Sequence, residues 1–220
     1  MAKSIAAAGP VEGPWALPDG WRWAHMGDIA HIVAGQSPLS SDCNRDGVGL
    51  PFFQGKAEFG RDVPSAKNWC ERPPKMAEAG DLLVSVRAPV GPTNYASERC
   101  GIGRGLAAIR PSERSARWLR YWLQASVNTL LEKATGTTFE AITGDVLRSH
   151  LCPVPPADVQ ETIVTRIDEL FAEIDDGEAA LARARDDLAT WRKALLKAAV
   201  TGELTADWRA ANSPDRKSVV

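Results

Sequence analysis

Toward its C-terminal end the sequence carries an apolar seam whose steps are 4, 3, 4, 3: Ile163, Ile167, Leu170, Ile174, Gly177, Leu181, Ala184, Leu188, Trp191, Leu195 and Ala198. The seam runs unbroken over five heptads. A helix with a seven-residue repeat presents one narrow stripe, and that stripe needs another helix to cover it. Asp158 and Glu161 have capping-box spacing, and Thr201-Gly202 supplies a stop. The pattern predicts one helix of ~42 residues, roughly 60 Å long at 1.5 Å per residue. Gly177 and Ala184 make the centre of the seam small, and its ends are larger. Two antiparallel copies would set Gly177 against Leu181, Ile174 against Ala184, Leu170 against Leu188 and Ile167 against Trp191. A register pairing Leu181 with Ala184 is nearly as good, so packing alone leaves the register open. A parallel pair would stack Gly177 on Gly177 and Trp191 on Trp191, a hole beside a clash. The seam therefore predicts an antiparallel homodimer.

The rest of the 220-residue chain reads as one globular domain. Residues 1–14 are small, Gly- and Pro-rich, and are expected to be disordered. Residues 15–156 carry short strand signals at Trp21–Trp23, Leu50–Phe53, Asp81–Val86 and Leu106–Ile109. A helical spacing of Trp118, Leu119, Trp122, Leu123, Val127, Leu130 and Leu131 predicts one amphipathic helix over Ser115–Lys133, ended by Gly136. Cys152-Pro153-Val154-Pro155-Pro156 is expected to break regular structure and form a stiff joint. The long helix then occupies 157–201, and 202–220 reads as a polar tail. The fold class is mixed, α/β (α+β), followed by one long coiled-coil α-helix. Met1–Ala8 lacks the apolar run of a signal peptide, and no stretch approaches the ~18 apolar residues of a bilayer span. The expected compartment is the cytoplasm, with no membrane partner. Cys43, Cys70, Cys100 and Cys152 are spaced like free thiols, neither a zinc knuckle nor a redox pair.

Net charge is −2 but unevenly placed. Residues 1–156 carry 17 Lys/Arg against 15 Asp/Glu, a net of +2, and residues 157–220 carry 9 against 13, a net of −4. Arg99, Arg104, Arg110, Arg114, Arg117 and Arg120 crowd into one stretch with a single acid, Glu113. Such a cluster can neutralise phosphates, or it can be a solvated face. Catalytic signatures are missing: no phosphate-binding loop, no Gly-x-Ser-x-Gly elbow and no paired-histidine metal helix. Gly101-Ile102-Gly103-Arg104-Gly105 lacks the spacing of a dinucleotide fingerprint and reads as a tight turn that brings Arg104 close to something. Three classes stay open on the residues: a DNA-recognition subunit, a coiled-coil scaffold or adaptor whose head binds protein, and an enzyme with an unrecognised site.

Several motifs occur in a set order. Leu17-Pro18-Asp19-Gly20-Trp21 and Trp23 come first, then Gly27-Asp28-Ile29 and Gly35-Gln36-Ser37-Pro38. Gly80-Asp81-Leu82-Leu83-Val84-Ser85-Val86-Arg87-Ala88-Pro89-Val90-Gly91 and Gly136-Thr137-Thr138-Phe139 follow. Val154-Pro155-Pro156 with Gln160 and Ile163 opens the helix, and Gly202-Glu203-Leu204-Thr205-Ala206-Asp207-Trp208-Arg209 closes it. The series, over about residues 15–210, resembles the specificity (S) subunit of type I restriction-modification enzymes. The resemblance implies an α/β recognition domain that reads one half of a split site in double-stranded DNA. It implies no catalysis in this chain, and no cofactor bound by it. S-adenosylmethionine is expected on a partner methyltransferase (modification) subunit, and a restriction/translocase subunit joins that core. The usual subunit carries two such units in tandem with antiparallel helices. A chain with one unit is thus expected to pair with its own copy, the helix setting the spacing of two inverted half-sites. The acidic residues Asp168, Glu169, Glu173, Asp175, Asp176, Asp186 and Asp187 offer a docking face for the methyltransferase, or a solvated one.

Polar and basic residues on loops are the expected DNA contacts. The candidates are Gln36, Ser37, Gln54, Lys56, Arg61, Lys67, Arg87, Arg104, Thr137 and Thr138. Gln and Arg can read adenine and guanine edges in pairs of hydrogen bonds, whereas Lys and Thr more often hold phosphates. Arg87 has a second reading as a buried ion-pair partner.

Overall fold

A computed structural model describes residues 11–111, 116–134 and 141–212. The chain divides into two compact units, Met1–Val164 and Thr165–Val220. In chain order the elements are β1 (Arg22–His25), α1 (Met26–Ile29), β2 (Ala30–Ala34), β3 (Cys43–Asn44), β4 (Leu50–Phe53), β5 (Trp69–Cys70), β6 (Met76–Ala77), β7 (Leu82–Ser85), β8 (Thr93–Tyr95), β9 (Cys100–Ile102) and β10 (Leu106–Pro111). After them come α2 (Ala116–Ala125), α3 (Val127–Leu131), α4 (Gly144–Arg148), β11 (Leu151–Val154), α5 (Ala157–Val200) and α6 (Ala206–Ala211).

The centre of the first unit is an antiparallel sheet in the order β2-β10-β7-β8. Its two inner strands are apolar over Leu82–Val84 and Leu106–Ile109 because both faces are covered. Leu82 and Val84 of β7 and Ala107 and Ile109 of β10 enter one core, with Leu119, Leu123, Leu130 and Leu147 from the short helices. The alternate residues Leu83, Leu106 and Ala108 enter a second core with Phe53, Ala77, Cys100 and Ile102. That second layer is a five-stranded sheet in the order β3-β5-β4-β9-β6, with β4 and β9 parallel. The period-2 alternation of a strand thus places one run of sequence in two cores at once.

The structure corrects several expectations. Val11 makes an isolated bridge to Trp23, and the Trp23 indole donates to the Trp15 carbonyl at 3.1 Å, so packing reaches into residues expected to be disordered. The helix expected over Ser115–Lys133 is two, α2 and α3, broken at Ser126. The Ser126 hydroxyl donates to the Trp122 carbonyl at 2.7 Å and meets His150 Nε2 at 2.8 Å. With its one proton committed to Trp122, the hydroxyl accepts from His150, which fixes that ring as the Nε2–H tautomer. The proline run is not irregular throughout: Leu151–Val154 forms β11, paired antiparallel with β1. Pro153 is tolerated because this two-stranded sheet leaves its nitrogen side outside the ladder, and its carbonyl accepts from the Trp118 indole at 3.1 Å. Asp158 lies inside the first turn of α5, whose opening bond runs from the Gln160 N–H to the Pro156 carbonyl at 2.9 Å.

The expected long helix is there as α5, 44 residues long. Gly202, at φ 78°, follows it in the left-handed conformation that ends helices. The segment read as a tail carries α6, and Arg209 donates to the Gly202 carbonyl at 2.6 Å. Val164 is buried in the first unit's core and Ile163 packs against it. Further along, Ile174, Leu181, Leu188 and Trp191 are exposed, Leu181 at 72%.

Candidate nucleic-acid interface

Three stretches of chain converge on the turn Gly103-Arg104-Gly105 between β9 and β10. The Leu106 N–H closes the turn onto the Gly103 carbonyl at 2.9 Å. From the end of β2, Gly35 donates to Leu106 O at 2.9 Å and Gln36 donates to Ile102 O at 3.0 Å. From the end of β4, the Phe53 carbonyl accepts the Gly103 N–H at 2.8 Å. From the end of β7, Val86 donates to the Gly105 carbonyl at 2.9 Å. The glycines are required by this crowding. A β-carbon on Gly35 would overlap the Gly103 carbonyl, and one on Gly105 would overlap the carbonyl of Gln54. What the glycine run lets approach is therefore the protein's own backbone.

That convergence gathers most of the sequence candidates. Gln36 and Ser37 leave β2, Gln54 and Lys56 leave β4, Arg87 follows Val86, and Arg104 sits on the turn; all six are exposed. Lys67 is also exposed and precedes Asn68, whose carbonyl accepts the Phe52 N–H at 2.9 Å, next to the same strand end. Arg87 is not a buried ion-pair partner; its backbone bridges to Ala141 and its side chain is exposed. Arg61 belongs to another turn, Phe59–Pro64, which Asn94 clamps through two 3.1 Å bonds to Gly60. Thr137 and Thr138 lie outside the described residues. Sequence reading missed Lys75, which is exposed and whose carbonyl accepts the Ile102 N–H at 3.0 Å. Its signal was the adjacent β6, too short to stand out.

The arginine cluster proves to be divided. Arg110 makes two bonds to Asp81, at 2.8 and 2.7 Å. Arg120 bonds Asp62 at 2.8 Å with its guanidinium 5.0 Å from the Tyr95 ring centre. Arg99 lies 3.5 Å from Glu78. All three are engaged within the domain, Arg110 with a buried acid and Arg99 in a surface pair. Arg114 lies outside the described residues, and Arg104 makes no side-chain hydrogen bond or ion pair among them.

The buried cysteines are not activated as nucleophiles. Burial pushes the Cys100 thiol under the turn up to about 12, with Asp81 adding to the effect, and burial does the same to Cys152. Both are protonated at neutral pH and are poor nucleophiles. Burial lowers His150 to about 4. Among the described residues no three His, Cys, Asp or Glu side chains are grouped to hold a metal ion. None of the described helices is long and apolar enough to cross a membrane.

A family model for the type I restriction modification DNA specificity domain matches residues 18–181. The chain is 33% identical over 192 residues to the MjaX type I restriction enzyme specificity subunit of Methanocaldococcus jannaschii, covering 86% of this chain and 44% of that protein. It is 25% identical over 204 residues to the EcoBI specificity subunit of Escherichia coli, covering 90% and 42%. Among solved structures, the HsdS subunit from Thermoanaerobacter tengcongensis superposes with a TM-score of 0.68 at 44% identity, covering 79% of this chain and 42% of that one. A chain from a structure of type I R-M complex assembly superposes with a TM-score of 0.75 at 42% identity, covering 84% and 47%. The chain thus spans less than half the length of each of these relatives.

Proposed function

The chain belongs to the type I restriction-modification DNA specificity family, and from that premise we propose that it is a non-catalytic DNA-recognition subunit reading one half of a bipartite site. The observation that carries this reading is the convergence on Gly103–Gly105, which gathers exposed Gln, Lys and Arg side chains where several loops meet. The glutamines and Arg104 suit base edges, and Lys56 and Lys67 suit phosphates. Two copies, paired antiparallel through the seam of α5, read two inverted half-sites. The dimer acts in the cytoplasm and docks methyltransferase subunits that carry S-adenosylmethionine, and a restriction/translocase subunit joins them. The adaptor reading gains no support, since the relatives matched are specificity subunits.

The test is methylation-site sequencing of DNA from cells that carry this protein with its methyltransferase. A split palindrome is expected. An asymmetric site would remove the homodimer, and methylation that does not depend on this chain would remove the recognition role.

A further inference from the structure

The two antiparallel registers that packing leaves open differ in charge, and the charges choose between them. This inference rests on the homodimer reading above. A two-fold axis across the helices maps each flank of the seam onto itself, so like flanks face each other. On one flank stand Phe171, Glu178, Arg185 and Arg192; on the other stand Glu173 and Asp187. If Leu181 meets Gly177 of the second copy, Glu178 faces Glu178 of the second copy, Glu173 faces its Asp187, and Phe171 faces its Arg185. Three like-charge contacts result. If Leu181 meets Ala184, the helices slide by one heptad. Glu178 then faces Arg185 of the second copy and Phe171 faces its Arg192, each contact occurring twice, while Glu173 and Asp187 face alanines.

The core agrees with that choice. Gly177 then meets Leu188, Ile174 meets Trp191, Leu170 meets Leu195 and Ile167 meets Ala198. Ile163 is left facing Gly202, and it needs no partner because it already packs against its own domain's core. Sliding one heptad further forms Glu178–Arg192 contacts but brings Arg185 onto Arg185 and Asp187 onto Asp187, and leaves Ile167 and Leu170 without a seam residue opposite. Sliding the other way leaves Trp191, Leu195 and Ala198 without a seam residue opposite. We propose that the chain pairs with a second copy in the Leu181–Ala184 register, with Glu178 and Arg185 as the specifying ion pair. The two-fold then falls between residues 182 and 183. Each heptad of register moves the two α5 starts by about 10 Å, the rise of about three base pairs, so this pair tunes the spacing the dimer can read.

Full-length Glu178→Cys and Arg185→Cys chains, both carrying Cys43→Ser to remove the half-exposed thiol, are mixed and treated with a short bis-maleimide. A 178–185 crosslink is expected to dominate. Self-crosslinking of Glu178→Cys would place the dimer in the Leu181–Gly177 register, overturning this inference and sparing the homodimer. A monomer in sedimentation velocity, with no crosslink, would overturn both. Independently, Glu178→Arg should weaken dimerisation by about tenfold, and adding Arg185→Glu should restore it to within about twofold. Equal weakening by the single and double variants would also overturn the pair.

Discussion

Replacing Arg104 by Ala separates binding from folding, because the side chain stands on a turn held entirely by backbone bonds. Those bonds, to Phe53, Gly35 and Val86, are unaffected by the change. The side chain makes no ion pair among the described residues, so the variant should keep its stability to within about 0.5 kcal/mol. If Arg104 holds a phosphate, each copy loses one contact, worth about 0.9 in the slope of log K against log salt. With two copies on one site the slope falls by about 2. If it reads a base edge, each half-site loses about 1–3 kcal/mol, and discrimination at one position relaxes. The assay is fluorescence anisotropy of a duplex bearing the site found by methylation sequencing, titrated with the methyltransferase-bound protein over a range of salt. Arg120→Ala is the comparison. It breaks the 2.8 Å pair with Asp62 and the stacking on Tyr95, so it should lower Tm and leave the salt slope alone. Wild-type slope and affinity in Arg104→Ala would refute the assignment, and so would an Arg120→Ala variant that matches it in slope while still folded.

Other consequences concern the scaffold. Because His150 falls to about 4 from 6.5, the unfolded chain binds a proton between those values and the folded chain does not. Stability should therefore rise with pH across that window, by up to ~3 kcal/mol; urea titrations of wild type and His150→Gln should show this slope only in the wild type. Gly105→Ala drives a methyl into the Gln54 carbonyl and should cost about 1–3 kcal/mol in thermal unfolding, whereas Gly55→Ala, with open space around it, should cost less than about 1 kcal/mol. Breaking the Asp81–Arg110 pair should be unequal, since the Asp81 side chain is 3% exposed and that of Arg110 is 43%. Arg110→Ala strands a buried carboxylate, and it should lower Tm more than Asp81→Asn, which leaves its arginine in water.

What could be read from the sequence depended on how local the cause was. The seam of α5 and the stop at Gly202 are local, and both are where periodicity and turn chemistry put them. Strands β4, β7 and β10 were legible because their apolar runs are dense. By contrast β5, β6 and β9 are two or three residues long and exist only through pairings with distant chain. The break at Ser126 was invisible for the same reason: it depends on His150, 24 residues away. So was the strand through Pro153, which is decided by its partner Trp23. For the candidate interface, residue type and loop position selected most of the exposed groups, but their meeting at one turn is a property of the parallel β4–β9 pairing.

The arginine run shows why charge counting alone misplaces a nucleic-acid surface. Six arginines in one stretch suggest six phosphate contacts, yet Arg99, Arg110 and Arg120 already face Glu78, Asp81 and Asp62. Arg110 is bonded to a carboxylate only 3% exposed, and taking it to a phosphate would strand that acid; Arg120 is itself mostly buried, and Arg99 is engaged only in a surface pair. Arg104 differs because it stands on a turn held by backbone bonds, exposed, with no acid paired to it among the described residues. The logic that discounts part of the basic run also governs the seam. There the acids and arginines flanking α5 do not set whether two helices meet, which the apolar stripe decides, but which heptad faces which. In both places the apolar and backbone contacts fix the frame, and the charges left unmatched within one copy are those available to select a partner.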